Sequence, residues 1–449
     1  MFDLAISGGV VVTPRGRLNA NVYVSDGTIA ALSEETLPAR ESVDAGGLLV
    51  MAGMVEAHAH FMDPADPSRE DFPTGSAAAA AAGVTTVLEH THASPVVDAD
   101  DLRAKVDWLA DRSVVDFGLG AHAMPDRLDA VSAVWSAGAA FIKAFTCTTH
   151  GVPGFTPGPL RSLLERVAGA GAVCLVHCED ESLTEDAERA LRHAGRDDPA
   201  IVAEWRSREA EMSALAVTLV LARSTRARVV LAHVSNADAL ALVARERAAG
   251  GDVAAESCPQ YLCLLERELL VHGAFRKFTP PARARSIVEL DEMWEALRCG
   301  DIQYISSDHA PSTREQKTAG SIWDVHFGLP GIDTTTPILL DAAAGGRISH
   351  ELVAAAYSEA PARTYGLYPR KGSLAVGADA DIVLVDPSAS WEVRDEDVIS
   401  RAGWTPYAGR TLVGGVARTY LRGRLVAQDR NPLGAPGGGR FVAGPGAAP

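Results

Sequence analysis

The sequence predicts a (β/α)8 TIM barrel carrying a small β-sandwich domain built from both chain ends. Three observations lead there. Between residues 53 and 365, eight short apolar runs alternate with longer helix-like stretches. The first 50 residues instead carry short strand-like runs separated by turn signals, and the same style returns after residue 380. Finally, the apolar runs are continuous rather than alternating, as in a parallel sheet covered on both faces.

In chain order, residues 4–6, 10–12, 22–24 and 28–31 read as strands separated by Gly8-Gly9, Pro14-Arg15-Gly16 and Asp26-Gly27. The barrel strands are then expected at 54–56, 84–89, 114–121, 139–145, 172–178, 228–234, 252–258 and 302–308, with helices such as 159–170 and 237–249 between them. Runs at 382–385, 391–393, 416–421 and 424–427 complete the sandwich. The expected division is residues 1–52 with 366–430 for the sandwich, 53–365 for the barrel, and a Gly/Pro/Ala-rich tail, 431–449, ordered only where it docks.

Composition narrows the function. The 449-residue chain has 41 basic and 58 acidic residues, a net charge of -17 that argues against nucleic acid or an anionic membrane as partner. No apolar run reaches the ~18 residues of a membrane helix, and Met1-Phe2-Asp3-Leu4 opens no signal peptide. The six cysteines form no CxxC pair, which excludes zinc-ribbon and thioredoxin chemistry and fits a reduced, cytoplasmic protein. A small-molecule substrate is expected.

In such barrels chemistry sits at the C-terminal ends of the strands. The first run ends in His58-Ala59-His60, the fourth carries Lys143, the fifth ends at His177, the sixth at His233 and the eighth at Asp308. Histidines at i and i+2 of a strand share a face and make a metal fork. Taken singly, His177 and His233 read as ordinary core histidines and Asp308 as a helix cap. Lys143, between Ile142 and Ala144 in an apolar run, either snorkels to water or loses its charge, for instance by reaction with CO2 to a carbamate that can bridge two ions. Their joint placement at the ends of strands 1, 4, 5, 6 and 8 points to a metal site.

With these residues in view, the chain resembles the cyclic amidohydrolases of the amidohydrolase superfamily, the group of dihydroorotase, allantoinase, hydantoinase and dihydropyrimidinase. Gly53-Met54-Val55-Glu56-Ala57-His58-Ala59-His60 is similar to the family's opening motif. Further similar segments run from Glu70 to Ser76, Ala82 to Val87, Glu256 to Leu262, Pro280 to Arg283, Ser307 to Pro311 and Gly372 to Val383. The resemblance implies two divalent metals, usually zinc, with His58 and His60 on one, His177 and His233 on the other, carboxylated Lys143 bridging both and Asp308 on the first. It further implies a bridging hydroxide that attacks a ring amide, with Asp308 as the catalytic group passing a proton to the leaving nitrogen. It implies a homodimer or homotetramer.

Departures bear on the substrate. Met62 stands where dihydroorotases carry an Arg, and His92 where they carry an Asn, so both anchors for a substrate carboxylate are missing. Thr148 stands where typical D-hydantoinases carry a Tyr, and His150 is the candidate to replace it. Thr279 and Phe327 match positions whose backbone binds the cyclic amide in relatives. His90, His92 and His122 read either as outer or solvent-facing histidines or as a new pocket lining. The reading that follows is ring opening of a hydantoinase- or allantoinase-like substrate. Its alternatives are a linear-amide or isopeptide hydrolase on the same metals, a non-catalytic scaffold, and a mononuclear deaminase; the filled ligand set opposes the scaffold, and Lys143 opposes the deaminase.

Overall fold

Two β-sheets sandwich an apolar layer at one side of the molecule. The computed structural model describes residues 1–447. One sheet orders Thr28–Ser33, Asn21–Ser25, Phe2–Ser7 and Ala39–Asp44. The other orders Asn431–Pro432, Arg424–Gln428, Thr411–Leu421, Ile382–Glu392, Leu49–Ala52, Val10–Thr13 and Gly16–Leu18, so the strands of the two chain ends join where Ile382–Glu392 pairs with Leu49–Ala52. Leu4, Ile6, Val22, Val50, Ile382 and Leu384 fill the layer between.

Two runs expected as separate strands, 382–385 and 391–393, are parts of one strand, Ile382–Glu392. The Asp386 carboxylate accepts from the backbone N–H of Ser388 (2.8 Å) and Ala389 (3.1 Å), and a bulge there lets the strand carry on past a polar interruption. Ala39–Asp44 escapes an apolar reading because its side chains are mostly exposed.

The barrel strands run parallel in chain order: Met54–Ala59, Val84–Glu89, Asp116–Leu119 continued by Ala121–His122, Ile142–Phe145, Val173–His177, Arg228–Leu231, Val253–Ser257 and Tyr304–Ile305. The third breaks at Gly120, where a Cβ would stand 2.3 Å from the Phe141 ring. The eighth is much shorter than the apolar run 302–308 suggested. Beyond Ile305 the Ser307 N–H donates to the Glu56 carboxylate (3.0 Å) rather than to a neighbouring strand. Closure is made one step further on, where the His60 N–H donates to the His309 carbonyl (2.8 Å). Glu56 is fully buried and also accepts from Tyr357 Oη at 2.7 Å, which a π-helical turn, Ala355–Glu359, carries into place.

The base of the barrel is sealed by the chain's own end. Phe117 N–H donates to the Arg440 carbonyl (3.0 Å), Val442 N–H donates to the Phe117 carbonyl (2.7 Å), and Val442 joins Val55, Leu88, Leu175 and Tyr304 in the barrel interior. Barrel and sandwich are tied by Lys371, whose buried ammonium lies 2.5 Å from Asp116, 2.8 Å from Asp379 and 2.7 Å from Asp381. Among the described residues no helix is long and apolar enough to cross a membrane.

Candidate active site

At the C-terminal ends of the strands, His58, His60, Lys143, His177, His233 and Asp308 line one pocket of about 370 Å³, together with His92, His150, Thr279 and Phe327. Ten of the residues singled out in the sequence are thus brought together. Their roles follow from which atom each turns toward the others.

His58 and His60 both aim Nε2 at Asp308 Oδ1, at 3.3 and 3.5 Å. The opposite nitrogens are taken: His58 Nδ1 donates to Glu256 Oε1 (2.6 Å) and His60 Nδ1 to the His90 carbonyl (3.2 Å). Those bonds assign the tautomer and leave an Nε2 lone pair on each ring. Burial pushes the His58 imidazole well below its usual range, so it is neutral. Two lone pairs facing a carboxylate oxygen repel unless a cation lies between them, so the donor set fits a divalent metal.

The second pair is built alike. His177 Nε2 donates to Glu179 Oε2 (2.8 Å), leaving Nδ1 turned toward His233 Nε2 at 2.9 Å. Burial drives both imidazoles toward the neutral form. Between the pairs stands Lys143, 1% exposed, with Nζ 5.0 Å from the Phe145 ring centre. Burial pushes its ammonium down, against the pull of Glu256 and Asp308. His233 and Asp308 hold φ of 39° and 48°, the left-handed region that non-glycine residues rarely adopt and that clusters at functional sites. The His233 turn is fixed from outside: Glu211 accepts from the Ser235 N–H (3.0 Å) and Asn236 Nδ2 (3.2 Å).

Two carboxylates that organise the site carried no role in the sequence reading. Glu256 accepts from His58 Nδ1, from the His233 N–H (3.1 Å) and from Tyr304 Oη (2.8 Å), and so orients one histidine of each pair. Burial would raise Glu179, but Arg206 at 3.3 Å and hydrogen bonds from His177 and Thr279 outweigh it and hold the carboxyl at about 2. The available signal was an acidic residue inside or directly after an apolar strand, as sharp for Glu256 and Glu179 as for Lys143.

The substrate side is aromatic and neutral. His92 and His150 stack with ring centres 4.1 Å apart, and His150 meets Phe327 edge-on at 6.2 Å. Burial keeps both imidazoles well below their usual range. The Thr279 hydroxyl is spent on Glu179 (2.7 Å). Met62 is buried, its sulfur accepting from Thr91 Oγ1 (3.2 Å), and Thr148 is exposed on the loop. His90 and His122 are not solvent-facing: they are 1% and 2% exposed and sit behind the pocket wall.

The sequence profile described as the Amidohydrolase family matches residues 49–426. The chain belongs to the amidohydrolase family. This amidohydrolase is therefore a metal-dependent hydrolase of carbon–nitrogen bonds. It is 35% identical to an allantoinase of Rubrobacter xylanophilus, over 98% of this chain and 97% of the relative. It is 31% identical to an L-hydantoinase of Paenarthrobacter aurescens, over 98% of each. A dihydroorotase of Halobacterium salinarum shares 34% identity over 84% of this chain and 86% of its own. Among solved structures, the L-hydantoinase from Arthrobacter aurescens superposes with a TM-score of 0.95 at 31% identity, covering 99% of this chain and 100% of that one.

Proposed function

We propose that this amidohydrolase opens a neutral cyclic amide, imide or ureide with water, at a pair of zinc ions. The observation that supports it is the convergence of two imidazole pairs, Asp308 and buried Lys143 on one pocket. The named activities of its relatives, allantoinase, hydantoinase and dihydroorotase, all open rings, which favours the cyclic reading over a linear amide.

His58, His60 and Asp308 would hold one ion and His177 with His233 the other. Lys143 would join both as a carbamate: the neutral amine lone pair attacks CO2, a C–N bond forms, and the nitrogen proton leaves to solvent. Burial, by disfavouring the ammonium, prepares the amine for that step. When bound, two such cations polarise the scissile carbonyl and acidify an attacking water. Asp308 then does the proton work: its carboxylate accepts the proton of the attacking water and delivers it to the ring nitrogen, which leaves only when protonated. Glu256 and Glu179 keep His58 and His177 in the tautomers that face inward. Backbone groups at Thr279 and Phe327 would hold the ring amide, while the His92–His150 stack and the Phe327 ring cover its substituent.

A homodimer or homotetramer in the cytoplasm is part of the same proposal. Exposed Leu270, Val271, Ile287 and Val288 support self-association, and six free cysteines support a reducing compartment. The test is a panel of hydantoin, dihydrouracil, allantoin, dihydroorotate, succinimide and phthalimide with the Zn-, Mn- and Co-loaded enzyme. Turnover of at least one neutral ring is expected. Hydrolysis of linear amides alone would overturn the proposal.

A further inference from the structure

His90 follows the second barrel strand and lies against both histidines of the first pair, with ring centres 4.5 Å from His58 and 4.5 Å from His60. It is 1% exposed, and neither of its ring nitrogens has a hydrogen-bond partner among the described residues. Buried imidazoles are ordinarily satisfied, so a ring with two idle nitrogens asks for a ligand. Its other aromatic neighbours, Phe141 at 5.1 Å and His122 at 5.9 Å, leave that need unmet. One ring nitrogen each from His58, His60 and His90 fall within 4.8 Å of one another, close enough to converge on a single ion after small rotations. The backbone already couples the three, since the His90 carbonyl accepts from His60 Nδ1.

We propose that His90 is a further metal-ligating residue, giving the ion on the His58–His60 side a third imidazole. This rests on the metal reading above and extends it to a residue outside the pocket lining. Three imidazoles with the Asp308 carboxylate make a nitrogen-rich site suited to zinc, cobalt or nickel rather than manganese or magnesium.

The experiment compares wild type, His90→Phe, His90→Gln and His58→Ala, each loaded with zinc. Zinc retention is read by competition with a chromophoric chelator, and imidazole ligation by zinc K-edge X-ray absorption. We expect His90→Phe, which keeps the ring shape, to hold one of its two zinc ions at least about 10-fold less tightly than wild type holds the same ion and to lose imidazole scattering. His90→Gln, offering an amide oxygen, should lie between it and wild type, and it carries the comparison if the Phe variant does not fold. Retention and imidazole scattering equal to wild type in the soluble variants would overturn the proposal while leaving the metal reading standing, provided His58→Ala loses zinc. If wild type and His58→Ala both fail to hold zinc, the metal reading falls and this one with it.

Discussion

Asp308 faces two imidazole lone pairs and also stands where the leaving nitrogen must be protonated, so ligand and shuttle have to be separated experimentally. Asp308→Asn keeps an oxygen of similar shape but cannot carry the proton. We expect full metal occupancy with kcat lower by about 10²–10⁴-fold, measured together with bound metal on one preparation. Activity that recovers with excess zinc would make Asp308 a ligand only. Glu256 acts one layer further out, and Glu256→Gln should weaken metal retention by about 10- to 100-fold in chelator competition, with no change in fold by circular dichroism. The inward-facing residues were legible because histidines, a lysine and an aspartate at strand ends break an apolar pattern. Glu256 and Glu179 break it equally, but which nitrogen of which histidine they hold depends on pairings nearly 200 residues apart in the case of His58 and Glu256, |i−j| = 198. No local pattern contains that.

At the scale of elements, most barrel strands were legible as apolar runs, and the departures have local causes. The eighth strand is cut short because Glu56 captures the Ser307 N–H, and the third bends at Gly120 to clear Phe141. The tail was the least legible segment, since its Gly/Pro/Ala composition signals looseness. Its glycines are there for close approach: a Cβ on Gly439 would stand 1.9 Å from the Val115 carbonyl oxygen, and one on Gly444 2.1 Å from that of Ala139. Both neighbours are backbone and cannot step aside. We expect Gly439→Ala and Gly444→Ala each to destabilise by about 1–3 kcal/mol in chemical denaturation. Gly169→Ala is the control: it lies in the helix Pro157–Ala170 with nothing within 4 Å of a new Cβ, and should stabilise by roughly 0.5–1 kcal/mol. Equal effects at the three positions would remove the tail from the barrel's stability.

The whole molecule is joined through Lys371, which sits among Asp116 of the barrel and Asp379 and Asp381 beside the sandwich. Lys371→Met takes the cation from buried Asp381, while Asp116 keeps Arg422 and Asp379 keeps Arg370, and is expected to destabilise by about 3–5 kcal/mol at neutral pH. The pH dependence follows from the sign of the remaining charges. Burial already pushes Asp381 up in the presence of Lys371, and losing the ammonium pushes it further. The folded variant then binds protons more readily than its unfolded chain, so its deficit should shrink as the pH is lowered from neutrality. A deficit that grows on acidification would contradict this. On the substrate side, Met62 is buried away from the pocket, and the wall that replaces a carboxylate anchor is the neutral His92–His150 stack. Each missing charge-assisted contact is worth ~1.5–3 kcal/mol, or roughly 10- to 150-fold. Activity on dihydroorotate should therefore be negligible beside that on the best neutral ring, and equal kcat/KM values would show that another cation binds the carboxylate.

The most direct measurement is the metal content of Lys143→Ala beside wild type, by atomic emission, with and without added short carboxylic acids. Wild type should carry two ions per chain. The variant should lose metal and activity, and recover part of both when a small carboxylate takes the place of the carbamate. A Lys143→Ala enzyme that keeps two ions and wild-type turnover, or a fully active wild type with a single ion, would contradict the binuclear, lysine-bridged site.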